Sequence, residues 1–386
     1  MKEIKSIIQA FDLAVKAGKR TALATVVHVE GSSYRRPGAR MLIAEDGEMT
    51  GSISGGCLEG DALQKALLVI IADKKMLVTY DTADEDDAKL GMGLGCNGII
   101  QVLIEPLNGA NGQQTIQLLK SATGSRQKST LVTLFSLADK KEPQQGTCLL
   151  LTENNESFGK LPFLEDLLMK EARSVLNAGK SSFKSYTEGN KEIIGFSEII
   201  MPAISMVVIG GGNDVFPLVQ MADLLGWQTT VIDGRPAYAT KERFPVSSCT
   251  VLLAKPESVL QQITIDERTV FVLMTHNYHY DYSMLRALLR KEPIYIGILG
   301  PAKKMEMMEN DLRLEGIEIT AKQRSVIHGP VGLDIGAETA EEIALAIMAE
   351  IKAVLSDREP TSLKDIAGEI HERSELKIEK VEKTSA

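Results

Sequence analysis

Residues 206–233 read "MVVIGGGNDVFPLVQMADLLGWQTTVID". An apolar β-branched run ends at Ile209, Gly210 and Gly212 make a G-x-G turn, a helix runs to Gly226, a second strand follows, and Asp233 closes it. Asp233 lies 21 residues after Gly212, where a dinucleotide fold grips a ribose hydroxyl. Two features depart from that pattern. Val215 stands in place of the third glycine, which should push helix and strand apart, and Asp214, an expected N-cap, puts a carboxylate where a pyrophosphate would want the helix end. The reading is therefore Rossmann architecture, with ordinary NAD(P) binding the less favoured use of it. Arg235, just past the acid, is either a phosphate contact or an exposed loop arginine.

Outward from this stretch the texture persists. "ISMVVIG", "TTVID", "TVLLA", "TVFVLMT" and "PIYIGILG" alternate with helical segments, as parallel strands buried on both faces do. The strand ending in "VLMTHNYHYD" puts Thr275, His276 and Asn277 at the carboxyl edge, where ligands of such sheets sit. His276, His279 and Asp281 also read weakly as metal ligands, against a polar ligand edge or a solvated loop. The last helix carries a capping box, Thr339 with Glu342, and a stripe at Ile343, Ile347, Ile351 and Leu355.

The N-terminal half is different. Residues 21–53 overlay on 129–161 without a gap, matching Leu23 with Leu131, Thr25 with Thr133, Gly38 with Gly146, Leu42 with Leu150 and Gly51 with Gly159. Both read strand, turn, strand, helix, so the fold class is an α+β domain with a degenerate internal repeat, followed by a Rossmann-like doubly wound parallel sheet. The second copy lacks "GSSYRR", "GSISGGC" and "GLGC" of the first; shared residues are then scaffold and unshared ones function. Domain limits are expected at 1–110, 111–202 and 203–356, with a charged tail, loose or partly helical, over 357–386.

The unshared motifs carry chemistry. Cys57 in "TGSISGGCLEGD" follows Gly55 and Gly56 and precedes a helix, where oriented N–H groups and the positive helix end favour thiolate and bare backbone makes an anion nest. Cys96 in "LGMGLGCNG", after Gly95, repeats the design. Either thiol can be a nucleophile or a soft-metal ligand; singly, each also reads as a small buried hydrophobe. "EGSSYRRPGARM" adds Ser32, Ser33, Arg35, Arg36 and Arg40, whose guanidinium forks suit an oxyanion, against a solvated basic loop. Cys148 and Cys249 read as packing.

The 386 residues carry a net charge of -9, with 44% apolar and 25% charged residues, and the pI is near 5.3. That balance disfavours a nucleic-acid binder. No apolar run approaches the ~20 residues of a membrane span, and the amphipathic opening with Ile4, Ile7, Phe11 and Ala14 is unlike a signal peptide. Four scattered cysteines fit reduced thiols in a cytoplasmic protein. A homodimer is the generic expectation.

"GSSYRRPGARMLI", "GSISGGCLEGD", "GLGCNGIIQVLIEP", "VVIGGG", "THN", "YIGILG" and "HGPVGLDIGAETAEEIALAIMAEI" together resemble the XdhC/CoxI family, accessory proteins of xanthine dehydrogenase and related molybdenum hydroxylases. The resemblance spans roughly residues 10–106 and 204–355, not 111–200. It implies a chaperone rather than an enzyme with its own turnover. Such a protein binds the molybdenum cofactor (molybdopterin, as mononucleotide or dinucleotide), holds it while a cysteine desulfurase adds the terminal sulfur, and delivers it to the apo-dehydrogenase of purine catabolism. The family motifs fall on Gly55, Gly56 and Cys57, on Gly95 and Cys96, and on Gly210, Gly211 and Gly212. Asn277 and Pro301 depart from the expected aspartate and serine. The competing expectation is an NAD(P)-dependent oxidoreductase using the Rossmann domain directly.

Overall fold

The segment "TALATVVHVEG" forms strand β1 (Thr21–Gly31), and its alternation explains the N-terminal architecture. Ala22, Ala24 and Val26 face helix α2 and pack on Ala62, Ala66, Val69 and Ile70, while Leu23 and Val27 face the opposite way, into clusters with Leu131, Leu150 and Phe135. A strand points successive side chains to opposite faces, so a run buried on both sides has no polar phase. The computed structural model describes residues 1–31, 33–81, 98–137, 144–161, 163–188, 191–366 and 378–381. The chain divides into two compact units, Met1–Pro202 with His371–Ala386, and Ala203–Ile370.

In the first unit, α1 (Lys2–Lys16) buries Ile4, Ile7, Phe11 and Ala14 and precedes β1, β2 (Arg40–Ala44), β3 (Met49–Gly51), α2 (Glu59–Ala72), β4 (Met76–Asp81) and β5 (Gly98–Pro106). The pattern then repeats as α3 (Ala110–Gly124), β6 (Ser129–Phe135), β7 (Gly146–Thr152), β8 (Ser157–Gly159), α4 (Glu165–Ala178), β9 (Ser182–Glu188) and β10 (Lys191–Ile200). Strand order is β3-β2-β1-β5-β4 in one antiparallel sheet and, equivalently, β8-β7-β6-β10-β9 in the other. The bends coincide as well. Gly38 and Gly146 have φ of 92° and 83°, and Gly51 and Gly159 have 91° and 99°. A Cβ at Gly51 would run into the Arg40 carbonyl oxygen and one at Gly159 into that of Cys148, so only glycine lets these hairpins close. The repeat is thus a structural duplication. The two sheets bury their inner faces against each other, with α2 and α4 on the outer faces.

The second unit begins with β11 (Ser205–Ile209), α5 (Val215–Leu224), β12 (Gln228–Asp233), β13 (Cys249–Leu253) and α6 (Pro256–Val259). It continues through β14 (Thr269–Leu273), α7 (Tyr278–Leu288), β15 (Ile296–Ile298), α8 (Ala302–Leu314), α9 (Ala321–Ser325), β16 (Ile327–His328) and α10 (Ala340–Val354). All pairings are parallel in the order β13-β12-β11-β14-β15-β16, the doubly wound 3-2-1-4-5-6 arrangement, with the switch point between β11 and β14. Val215, expected to hold helix off strand, is fully buried among Val208, Val231 and Leu218: the valine is packing, not a wedge. The Thr339–Glu342 capping box is formed. Cys249, read as packing, is the buried first residue of β13. In the tail, β17 (Glu379–Val381) adds a parallel strand beside β9, where only loose or helical chain was expected. Among the described residues no helix is long and apolar enough to cross a membrane.

Candidate functional site

Register decides what the first repeat brings together. Met41 pairs with Gly51, Gly31 with Gly98, and Asp81 with Ile99. The C-terminal ends of β1, β3 and β4 and the N-terminal ends of β2 and β5 all point to one end of the sheet but are staggered, Gly51 standing level with Ala24 and Ile104, seven residues along β1 from the Gly31–Gly98 pair. Toward that end leave the arginine-bearing segment after Gly31 and the glycine-cysteine segment after Gly51, and from there the chain returns at Gly98. Gly95 and Cys96, like Ser32, lie outside the described residues.

Cys57 is exposed, Gly56 beside it has φ 109° with open space around its α-carbon, and the Tyr34 ring lies over Gly55, 3.5 Å from where a Cβ would be. Tyr34 is itself 75% exposed. This corner presents a thiol, bare backbone and an uncovered aromatic ring.

The anion nest expected here is already filled from within. Ser54 Oγ accepts from the amides of Gly56 (3.2 Å), Cys57 (3.1 Å) and Leu58 (3.1 Å), and its hydroxyl donates to Glu59. Glu59 Oε1 also accepts from the Ser54 amide at 2.8 Å and the Ser52 hydroxyl at 2.9 Å. Burial pushes the Glu59 carboxyl up, but the Ser54 and Ser52 hydrogen bonds outweigh it and hold the group below its ordinary value. The loop is thus pre-shaped by Ser54 and Glu59, which leaves the sulfur, not the amides, as the group offered outward.

The arginines divide. Arg40, expected to meet ligand, is 2% exposed and its guanidinium is engaged by Glu198 and the Gly38 carbonyl (2.8 Å), so it is internal scaffold. Arg35 pairs with Glu3 on α1, and Ser33 Oγ donates to the Arg35 carbonyl at 2.9 Å. Arg36 is exposed and makes no ion pair among the described residues. No cluster of three or more metal-ligating side chains occurs among the described residues; Cys57 as a metal ligand would be a single soft donor to a metal that brings the rest of its ligands.

In the second unit the glycine turn is covered by its own chain. Gly210 (φ 124°) packs on the Met274 carbonyl and Gly211 on the Tyr238 carbonyl. Asp233, 3% exposed, accepts from the Gly211 amide (2.8 Å) and from Arg235 through its amide (2.8 Å), Nε (2.9 Å) and Nη2 (2.8 Å). Burial raises the Asp233 carboxyl, and the Arg235 bonds outweigh it, leaving the group below its ordinary value. The acid meant for a ribose is spent on Arg235, which also stacks on Tyr238 at 3.8 Å. Arg243 crosses the turn to the Gly211 carbonyl (3.1 Å) and Asn213 Oδ1 (2.9 Å), leaving Gly212 pressed on Asp214.

Asp214 makes no side-chain cap; it pairs instead with His276 Nε2 at 2.8 Å. His276 is exposed with a left-handed φ of 55°, held between two structural neighbours. Thr275 Oγ1 donates to the fully buried Asp281 at 2.6 Å, and Asn277 caps α7 by accepting from the Tyr280 amide at 3.2 Å. Asp281 also takes Lys304 Nζ at 2.6 Å, which removes it as a metal ligand. Of "THN", Thr275 is buried while His276 and Asn277 are exposed, Asn277 with its side-chain oxygen committed to the cap. Sequence reasoning missed Tyr34, Ser54, Glu59, Tyr238, Arg243 and Lys304. The serine and acid flanking Gly-Gly-Cys, "SGGCLE", were a readable signal, as was Tyr238 close after Arg235, whereas Tyr34, Arg243 and Lys304 act across long sequence separations that no local pattern reveals.

The XdhC and CoxI family model matches residues 14–81 and the XdhC Rossmann domain model matches 206–351. A Bacillus subtilis protein named as a probable subunit of xanthine dehydrogenase is 32% identical over 340 residues, 88% of this chain and 94% of that protein. The chain belongs to the XdhC/CoxI family. The Escherichia coli molybdenum cofactor insertion chaperone PaoD is 22% identical over 349 residues, covering 90% of this chain and 88% of PaoD. A crystal structure described as a xanthine dehydrogenase from Bacillus halodurans superposes with a TM-score of 0.74 at 30% identity, over 92% of this chain and 98% of that one. Membership rests on both units, so the XdhC/CoxI frame covers the Cys57 corner and the Rossmann edge alike.

Proposed function

We propose that this chain is a maturation factor that binds the molybdenum cofactor as cargo, holds it during sulfuration by a cysteine desulfurase, and passes it to an apo xanthine dehydrogenase or related molybdenum hydroxylase. The observation carrying this reading is the Cys57 corner: an exposed thiol next to open glycine backbone and an uncovered tyrosine, built by the first repeat from two described unshared motifs that leave toward one end of its sheet. Cys96, the other glycine-framed thiol of the first repeat's sequence, is the second thiol of the proposal. The donor chemistry fits the cargo. Thiolate is a soft ligand for a metal already chelated by a dithiolene, a flat pterin can lie on an aromatic face, and Arg36 offers a cation to an anionic tail. The chaperone named PaoD, related along 90% of this chain, supports the same reading.

The Rossmann unit supplies the second candidate edge, with His276 outward and Asp214 behind it. The oxidoreductase alternative is disfavoured by Asp233, whose two oxygens are committed to Arg235 and the Gly211 amide. The deciding experiment purifies the protein anaerobically from a cofactor-producing host, quantifies molybdenum and pterin, and titrates NAD and NADP by calorimetry. Stoichiometric pterin with no nicotinamide heat is expected. Micromolar NAD binding with no pterin would transfer the protein to the oxidoreductase class.

A further inference from the structure

The second repeat has none of the motifs that distinguish the first, yet it reaches into the base of both loops at the Cys57 corner. Glu105 on β5 lies opposite Leu23, and Glu198 on β10 lies opposite Leu131, so the two glutamates are equivalent positions of the duplicated sheets. Each crosses to the other repeat. Glu105 meets the bend at Gly146, accepting from the Thr147 amide (3.0 Å) and hydroxyl (2.8 Å), with Lys75 at 3.5 Å. Glu198 meets the equivalent bend at Gly38 and pairs with Arg40.

The braces match in plan and differ in one residue. Where the first repeat has Arg40, the second has Cys148, a buried thiol whose pKa burial pushes up to about 12. A buried guanidinium is kept only in the repeat that carries the open thiol. Its desolvation is costly, and a buried ion pair is weak evidence of a stability role but is well suited to fixing one geometry.

That geometry is the junction of the two loops. The Arg40 guanidinium holds the Gly38 carbonyl, its amide donates to Glu3 at 3.1 Å, and Glu3 also takes Arg35, so the 33–40 segment is pinned at both ends. The Arg40 carbonyl accepts from the Ser52 amide at 3.0 Å and packs against Gly51, where the strand turns into the glycine-cysteine loop. We infer that Glu198 and Arg40 are positioning residues for the Cys57 corner, and that the second repeat serves the first by supplying this counter-charge. This deepens the cofactor-binding reading and rests on it for its biological meaning, while the positioning itself can be measured without any cofactor.

The test uses the full chain and the internal symmetry as its control. Amide hydrogen exchange across 33–40 and 51–58, and the alkylation rate of Cys57 by iodoacetamide, are measured in Glu198→Gln, Glu198→Asp and Glu105→Gln. Glu198→Gln is expected to raise exchange in both loops roughly ten- to hundredfold, the factor for losing one charge-assisted hydrogen bond. It should also shift the Cys57 rate, with Glu198→Asp restoring most of the effect. Glu105→Gln, which removes the equivalent buried charge, should lower the melting temperature and leave both loops as in the wild type. If Glu198→Gln does not fold, Arg40→Lys, which keeps the charge and loses the fork, is expected to loosen the same two loops. Equal loop exchange in the Glu198 and Glu105 variants, or unaltered loops in Glu198→Gln or Arg40→Lys, overturns the inference. Loosened loops with undiminished molybdenum retention would leave the positioning intact and sink the cofactor reading instead.

Discussion

Replacing Lys304 by methionine removes the cation of a buried pair while keeping most of the stem. Asp281 is fully buried, and its two oxygens are covered by Lys304 Nζ at 2.6 Å on one side and by the Thr275 hydroxyl at 2.6 Å on the other. Lys304 also donates to the Leu299 carbonyl at 2.8 Å, and its stem lies against Gly300. Without the ammonium, one oxygen of a desolvated carboxylate has no donor, which costs about 3–5 kcal/mol for a buried pair broken on one side. For a unit of this size each kcal/mol moves the melting temperature by about 2–4 °C, so a drop of roughly 6–20 °C is expected for the Rossmann unit. Adding Asp281→Asn should recover more than half of it, because the neutral amide no longer needs the cation. Differential scanning calorimetry of the wild type, Lys304→Met and the double variant measures this directly. A drop below about 1 kcal/mol in the single variant, or a double variant no more stable than the single, would show that the pair does not carry the "THN" turn.

Two further outcomes follow from the same chemistry. Glu350 is pushed up by burial but held below its ordinary 4.5 by His328, by the Tyr295 hydroxyl at 2.6 Å and by the Gly332 amide at 3.0 Å. A depressed carboxyl contributes stability that is fully present above the unfolded value and lost as pH falls through the lower folded value. Acid unfolding of Glu350→Gln should therefore lack that slope below about pH 4.5, as urea melts at stepped pH will register. Val215→Gly, which restores the third glycine of the dinucleotide pattern, should destabilise by about 2–4 kcal/mol through the cavity left in the core and should confer no NAD affinity, since Asp233 stays bound to Arg235. Nicotinamide binding by that variant in calorimetry would mean the glycine, not the acid, was the obstacle.

The parts legible in the sequence are those written in short-range pattern. The G-x-G turn, the apolar strands and the capping box at Thr339 each lie within a few residues of their partners, and the structure reproduces them. The repeat was legible because its glycines at 38, 51, 146 and 159 answer backbone demands that no other residue meets cheaply. What stayed hidden depends on tertiary neighbours. Arg40 reads as a ligand-facing guanidinium until Glu198, 158 residues away, is placed over it. Asp233 reads as a ribose ligand until Arg235 folds back on it, and the amides after Ser54 read as a vacant nest until the serine's own hydroxyl is seen inside it.

The central claim is that the Cys57 sulfur anchors a molybdenum-bearing guest. Wild type, Cys57→Ala and Cys148→Ala are co-expressed with the cofactor pathway, purified anaerobically, and assayed for bound molybdenum per chain by mass spectrometry. Cys57→Ala should fold normally and retain roughly tenfold less metal or worse, the factor that ~1.4 kcal/mol of lost binding gives, while Cys148→Ala, altered only at a buried thiol, keeps the wild-type load. Equal molybdenum in Cys57→Ala and wild type would contradict the claim.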